Sequence, residues 1–218
     1  MKLLIYGAKG LAKEVYDIVA RSTPGKYEKV LFIDDYVEEA PFYLSETIHF
    51  DSITKYFLAK GEELEGVVAV GEPVYRQMLA NKFDELGIPL ATVIDSTALI
   101  SPTARIEEGA IICEYSTIHA NVHIGRGALI QPFCNVGHDI EFGDYSVMSS
   151  DCAPGGFSKF GKCVYMGMNS TSIEKIVVGD NAVIAMGAVV FRDVDVGATV
   201  IGNPARVTRG NDEHKVFK

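Results

Sequence analysis

Reading the chain every sixth residue from Ile94 gives Ile94, Ile100, Ile106, Ile112, Ile118, Ile124, Ile130, Val136 and Phe142, then Met148, Pro154, Phe160, Met166, Ser172, Val178, Ile184, Val190 and Val196. Eighteen hexapeptides, residues 94 to 201, hold that phase without an insertion, and only Pro154 and Ser172 are not large aliphatic or aromatic lead residues. Four positions after each lead residue the side chain is mostly small: Ala98, Ala104, Ala110, Ser116, Ala128, Cys134, Ser146, Cys152, Ala182 and Ala188. An internal repeat of this period means a β-helical solenoid. Each hexapeptide is a short flat strand plus a turn, and three of them close one triangular coil. The lead residue points into the prism, and the small residue fits the tight interior near the corner. Coils stacking at roughly 4.8 Å pair every backbone group with the coils above and below, so six coils make a prism about 29 Å long. A register of one coil then stacks Ile94, Ile112, Ile130, Met148, Met166 and Ile184 on one face, and Ile106, Ile124, Phe142, Phe160, Val178 and Val196 on another. The third column holds Ile100, Ile118, Val136, Val190 and both exceptions.

The first ninety residues follow a different rule. Apolar runs at Leu3 to Tyr6, Val30 to Ile33 and Val67 to Val70 read as buried strands. Between them, Ala12 to Arg21 places Val15, Ile18 and Val19 at helical spacing, and Asp51 to Lys60 does the same with Ile53, Phe57 and Leu58. A third helix runs from Pro73, in the first turn where proline is tolerated, to Leu86, where Gly87 stops it. Strands alternating with helices predict a small parallel α/β domain over 1–91, and the repeat assigns 92–218 to the β-helix and a C-terminal tail.

Charge narrows the partners. A formal net charge of −9 does not suit a binder of nucleic-acid phosphates. No apolar run approaches the roughly 20 residues needed to span a bilayer. The start MKLLIYGAKG is read as no signal peptide, and the four cysteines form no CxxC pair or metal-ligand spacing. A soluble cytoplasmic protein is the expectation.

The motif of Ile, Val or Phe, then Gly, then a small residue three on, in IGRGAL, FGDYSV and VGDNAV, resembles the hexapeptide-repeat acyltransferases. With the final IGNPARV, the chain resembles their sugar acetyltransferases, typified by bacillosamine-pathway N-acetyltransferases and sialic acid O-acetyltransferases. The resemblance implies a left-handed parallel β-helix after a Rossmann-like domain; handedness comes from it alone, since the general connection rule favours right-handed crossovers. It implies that His138, in Val136-Gly137-His138-Asp139, is a general base whose basicity Asp139 raises. It further implies acetyl-CoA in a groove between neighbouring prisms of a homotrimer, touching Gly156, Met168 and Met186. A nucleotide-activated sugar is expected on the α/β domain, with Lys9, Gly10, Leu11, Asp34, Asp35, Gly71 and Gln131 as its contacts.

The residues speak to the same points. His138 is third in its hexapeptide, a corner position pointing outward, and one coil further on lies Gly156, whose bare backbone can offer an N–H to a developing oxyanion. Asp139 supports an imidazolium after proton abstraction. Pro154 and Ser172 make the repeat poorest beside His138, and local rules tend to fail where function intervenes. His119 and His123 fall in other columns, so the three histidines do not converge on a zinc site; no metal is expected. Cys134 and Cys152 stack in the small-residue column as inert fillers. Gly7-Ala8-Lys9-Gly10, between a strand and a helix, can offer N–H groups to a phosphate, and Asp34-Asp35 can accept from ribose or base donors. A full GxGxxG is absent, which argues against nicotinamide chemistry. Leu11 stands where relatives carry a histidine.

These readings converge on acetyl transfer from acetyl-CoA to the amino group of a nucleotide-linked 4-amino-4,6-dideoxy sugar. O-acetylation of a sugar hydroxyl, as on a sialic acid, and a non-catalytic trimeric sugar-nucleotide-binding scaffold are the alternatives. The sequence does not separate amine from hydroxyl.

Overall fold

The computed structural model describes residues 1–36 and 47–217. Its α/β part is a four-stranded parallel sheet in the order β3-β2-β1-β4: β1 (Lys2–Tyr6), β2 (Lys29–Ile33), β3 (Thr47–Ile48) and β4 (Leu64–Val68). Helix α1 (Gly10–Ser22) lays Ala12, Val15, Ile18 and Val19 on one face of the sheet, the stripe its spacing predicts. Helix α3 (Pro73–Glu85) covers the other face with Leu79, Ala80 and Phe83. The expected helix over Asp51 to Lys60 is two pieces, α2 (Ser52–Tyr56) and one 3₁₀ turn at Leu58–Lys60, because the backbone leaves the helical region at Phe57. The third strand sits three residues earlier than its apolar run suggests. Gly66, which the run excludes, belongs inside the strand, where an added Cβ would stand 2.8 Å from the Phe83 ring.

From Val93 the chain coils. Two-residue parallel strands recur every six residues, and their pairing follows the predicted register of one coil, as in Ile130↔Met148, Phe142↔Phe160 and Ile118↔Val136. The lead residues and the small column form one continuous buried core. At two places the period fails. Where Pro154 replaces an aliphatic residue, only an isolated bridge, Ala153↔Thr171, remains of the strand. At the end, Val196 is 70% exposed, and Val194 instead is buried and bridges Val178. The step from Val190 to its successor is therefore four residues, not six, and Val200 then pairs with Ile184. The chain leaves the prism through an antiparallel pair, Ala198–Ile201 with Arg206–Gly210.

One face of the prism carries the α/β part. There the outward residues Ile111, Cys113, Leu129 and Val147 are buried against it, whereas their counterparts on the other faces, such as Asn135, Glu141 and Lys159, are exposed. Three arginines fasten the junction. Arg21 Nε donates to Asp95 Oδ2 (2.7 Å) and Arg126 forks onto Asp84 (2.7 and 2.9 Å). Arg76, fully buried on α3, donates to the carbonyls of Val68, Val70 and, in the prism, Gly127. Burial without a carboxylate beside it pulls the Arg76 guanidinium down to about 10.

Candidate active site

His138 stands at a turn between two faces, with its side chain half exposed. Its Nδ1 and Asp139 Oδ2 are 2.8 Å apart, and Asn121 Nδ2, one coil back, donates to Asp139 Oδ1 at 3.0 Å. Asp139 adopts the left-handed conformation (φ 58°) that a short polar side chain tolerates at these corners. The hydrogen bond from His138, then that from Asn121, holds the Asp139 carboxyl below the usual carboxylate range. An ionised carboxylate on Nδ1 fixes the tautomer that leaves Nε2 with a lone pair. Phe157 meets the imidazole edge-on, with ring centroids 4.9 Å apart, and stops it from swinging off the wall.

Three glycines let this happen. Gly137 lies directly on the Gly155–Gly156 turn of the next coil; a Cβ on Gly137 would stand 2.9 Å from Gly156 N, and one on Gly155 2.5 Å from Glu174 N. A methyl on Gly156 would come within 3.0 Å of His138 Cε1 and 3.1 Å of Nε2. The imidazole therefore leans over a bare peptide. At this third position of the turn, among the described residues, the Gly156 N–H enters none of the coil-to-coil bonds that its neighbours Gly155 and Phe157 make. A proton acceptor and an open N–H donor thus share one spot on the wall.

A second site lies on the α/β part, at the carboxyl ends of its strands. A cavity of about 580 Å³ is lined by Lys9, Leu11, Asp34, Asp35 and Gly71 of the expected residues, with Tyr6, Tyr75, Met78 and Lys82 added. It opens at the α1 N-terminus, between β1 and β4, where ligands of parallel sheets bind. Gly10 and Gln131 do not line it; Gln131 instead lies on the prism, its carbonyl accepting from Ser116 Oγ. Asp35 is engaged from within: Tyr6 Oη donates to it at 2.6 Å, the Phe50 N–H at 2.9 Å, and Lys82 Nζ stands 3.4 Å away. Burial pushes the Asp35 carboxyl up, but those hydrogen bonds and the lysine charge outweigh it and hold it below its usual range. Burial first, and Asp35 second, push the Tyr6 phenol far above its usual range. Asp34, with one oxygen on the Tyr36 N–H (2.9 Å), is the better placed of the pair to meet a ligand. A cleft of about 830 Å³ adjoins this cavity through Val70, Gly71 and Tyr75, and its far wall is the C-terminal segment. Glu72 holds that segment, accepting from the backbone N–H groups of Val216 and Phe217 at 2.9 to 3.1 Å.

Met168 and Met186 are exposed and in register, but they follow the face of Tyr165–Met166, whereas Gly156 follows the face of Asn135–Val136. They sit at a different corner of the prism. His119 and His123 are occupied at Asn135 and Glu107, 2.9 Å each. Cys134 and Cys152 are free, buried thiols turned to backbone carbonyls. Asn121, Phe157, Tyr6 and Lys82 escaped the sequence reading; Asn121, one coil before Asp139, was within reach of register arithmetic.

The family described as the PglD N-terminal domain matches residues 2–83. The chain is similar along its length to several solved structures. One is a histidine-to-asparagine mutant of perosamine N-acetyltransferase from Caulobacter crescentus in complex with CoA and GDP-perosamine (25% identity, TM-score 0.88, 96% of this chain and 97% of that one). Another is the acetyltransferase domain of PglB from Neisseria gonorrhoeae with acetyl coenzyme A (25%, TM-score 0.88, 95% and 98%). A third is WeeI from Acinetobacter baumannii (26%, TM-score 0.88, 95% and 100%). Among curated proteins, the 2,3,4,5-tetrahydropyridine-2,6-dicarboxylate N-acetyltransferase of Staphylococcus aureus is 42% identical over 50 residues, 23% of this chain. That match spans only 21% of the relative's own length. The four-stranded parallel sheet and the coiled repeat are the Rossmann-like unit and left-handed β-helix of these structures. Among the described residues, no helix is long and apolar enough to cross a membrane.

Proposed function

We propose, for a chain that belongs to the hexapeptide-repeat sugar acetyltransferases, that it moves an acetyl group from acetyl-CoA to the amino group of a nucleotide-linked 4-amino-4,6-dideoxy sugar, directly and with His138 as base. One observation carries the reading: the His138 imidazole, tied at Nδ1 to Asp139, leans with Nε2 over the bare Gly156 peptide. In this reading Nε2 takes the amine proton as the nitrogen attacks the thioester carbon. The Gly156 N–H donates to the thioester oxygen as it gains charge, and Asp139 stabilises the imidazolium. The carbon–sulfur bond breaks, and the imidazolium returns its proton to the departing sulfur. No covalent bond to the protein is needed.

The nucleotide belongs in the α/β cavity, its phosphates at the α1 N-terminus and Asp34 reading ribose or base. CoA would run along the prism past Gly156. Met168 and Met186 lie at the other corner of the face that ends at Gly156, so CoA touching all three crosses that face. We infer the homotrimer, with its CoA groove between neighbouring prisms, and the division of labour between residues 1–91 and 92–218 as parts of the same reading. The match to the perosamine enzyme, which binds CoA and GDP-perosamine, favours an amine acceptor over a hydroxyl. Free thiol released from acetyl-CoA with a panel of acceptors tests the reading. Release with nucleotide-linked 4-amino sugars and none with sialic acid is expected; release with sialic acid alone would overturn the amine acceptor, and release with no acceptor would overturn catalysis.

A further inference from the structure

Ser172 occupies a place in the core that the repeat reserves for an aliphatic side chain. Its column reads Ile100, Ile118, Val136, Pro154, Ser172, Val190, and it is the one polar side chain among these lead residues. It is nonetheless buried, at 8% exposure. A hydroxyl in an apolar core is costly unless it finds a partner. The serines of the small-residue positions, Ser116 and Ser146, find theirs near the prism corners, each bonding a carbonyl and an N–H of the coil above. Ser172 does something else. Its Oγ accepts from Gly155 N–H at 3.3 Å, beside the ladder bond from the same N–H to Ser172 O at 3.1 Å.

The Gly155 N–H lies in the peptide just before the one that carries the Gly156 N–H. The turn Pro154-Gly155-Gly156 carries no Cβ on its last two residues, and glycine gives a backbone its widest choice of φ and ψ. Neighbouring ladder bonds are stretched, Gly137 N to Pro154 O reaching 3.3 Å. Left to itself, such a turn has several directions in which to aim the next N–H. Backbone bonds hold the far side of the turn, from Phe157 N–H to His138 O and from Lys175 N–H to Gly156 O, and the Ser172 hydroxyl is the side chain that adds a bond at Gly155.

We propose that Ser172 is a positioning residue for acyl transfer: through Gly155 it sets the direction of the Gly156 N–H toward the thioester oxygen. The proposal rests on the acetyltransferase reading above. It explains why a core column forgoes an aliphatic residue one coil beyond its proline: stability is given up where the turn must be aimed.

The test compares Ser172→Val, Ser172→Ala and Ser172→Thr, using free-thiol release for rate and thermal melting for stability. Valine refills the column, so the melting temperature should hold or rise, while kcat falls roughly 10- to 100-fold, as for a misplaced reacting group. KM for acetyl-CoA and for the nucleotide sugar should stay within about twofold. Alanine should lower kcat likewise, and threonine, which keeps the hydroxyl, should recover most of the wild-type rate. The acidic limb of the pH profile should be unchanged in all three, because the base is untouched. Wild-type kcat in both the valine and alanine variants would overturn the proposal and leave the acetyltransferase reading intact. So would a loss of kcat in threonine equal to that in valine. A wild-type chain that releases no thiol with any acceptor would overturn the acetyltransferase reading first and this proposal with it.

Discussion

On the face that carries the α/β part, the ladder bonds just past each lead residue measure 2.9, 2.9, 2.8 and 2.7 Å from Cys113, Gln131, Ser149 and Gly167. On the face that ends at His138, the equivalent bond from Ser101 measures 2.9 Å, and those from His119, Gly137, Gly155 and Ile173 lengthen to 3.2, 3.3, 3.1 and 3.0 Å. Both faces obey the same six-residue period. The first is packed on two sides, by the prism core within and by α1 and β1 without, like a buried parallel sheet. The second is packed on one side only, and its core is weakened by Pro154 and Ser172. The bearing face spends its residues on stability, and the His138 face gives some of it up to bring an imidazole and a bare peptide together.

If that contrast is right, substitutions on the two faces should separate rate from stability. The largest effect is expected from His138→Ala, which should lower kcat about 10²- to 10⁴-fold in the thiol-release assay and leave the melting temperature nearly unchanged. Next comes Leu129→Ala on the bearing face. Leu129 is fully buried between prism and α/β part, so urea unfolding should show a loss of about 2–5 kcal/mol, with kcat per folded molecule unaltered. A large rate loss in Leu129→Ala with little loss of stability would dissolve the contrast.

Asp139→Asn should cost less than His138→Ala, on the order of tenfold in kcat, since it removes charge support and keeps the base. Hydrogen bonds from His138 and Asn121 hold the Asp139 carboxyl below its usual range in the wild type. With His138 as base, the acidic limb of kcat/KM should vanish in His138→Ala. A limb that persisted there would point to His119, on the preceding coil. The smallest effect concerns Asp95 at the junction. Burial pushes its carboxyl up, but Thr97 and Arg21 outweigh that and hold it below its usual range. A carboxylate so depressed stabilises the fold above its unfolded pKa, and that contribution is lost as the pH falls through the folded value. Melting temperatures of Asp95→Asn should thus fall less steeply on the acid side than those of the wild type. Equal slopes would remove Asp95 from the junction's account.

The period of six made the columns legible, because a side chain that points inward every sixth residue has to be apolar. It also located the two failures, Pro154 and Ser172, beside His138. It misled at the end, where Val196-Gly197 imitates the repeat while the chain turns early and buries Val194. Choosing between those valines needs the bridge of Val194 to Val178 in the preceding coil, a contact the period of six does not predict. The bearing face was written in the sequence as well, in Ile111, Leu129 and Val147, each one place before a lead residue where the other faces carry mostly polar side chains, Leu99, Ala153, Val177 and Val189 excepted. In the α/β cavity, Asp34 and Asp35 are equivalent as letters. Only the fold, by bringing Tyr6, Phe50 and Lys82 onto Asp35, tells them apart.

A crystal structure of His138→Asn with CoA and a nucleotide-linked 4-amino sugar tests most directly where the transfer takes place. The account predicts the CoA sulfur beside Gly156 N–H, the sugar amine turned toward residue 138, and the nucleotide in the cavity at the α1 N-terminus. CoA with its sulfur at the far corner, beside Lys162 and Asp180 and away from Gly156, would contradict it.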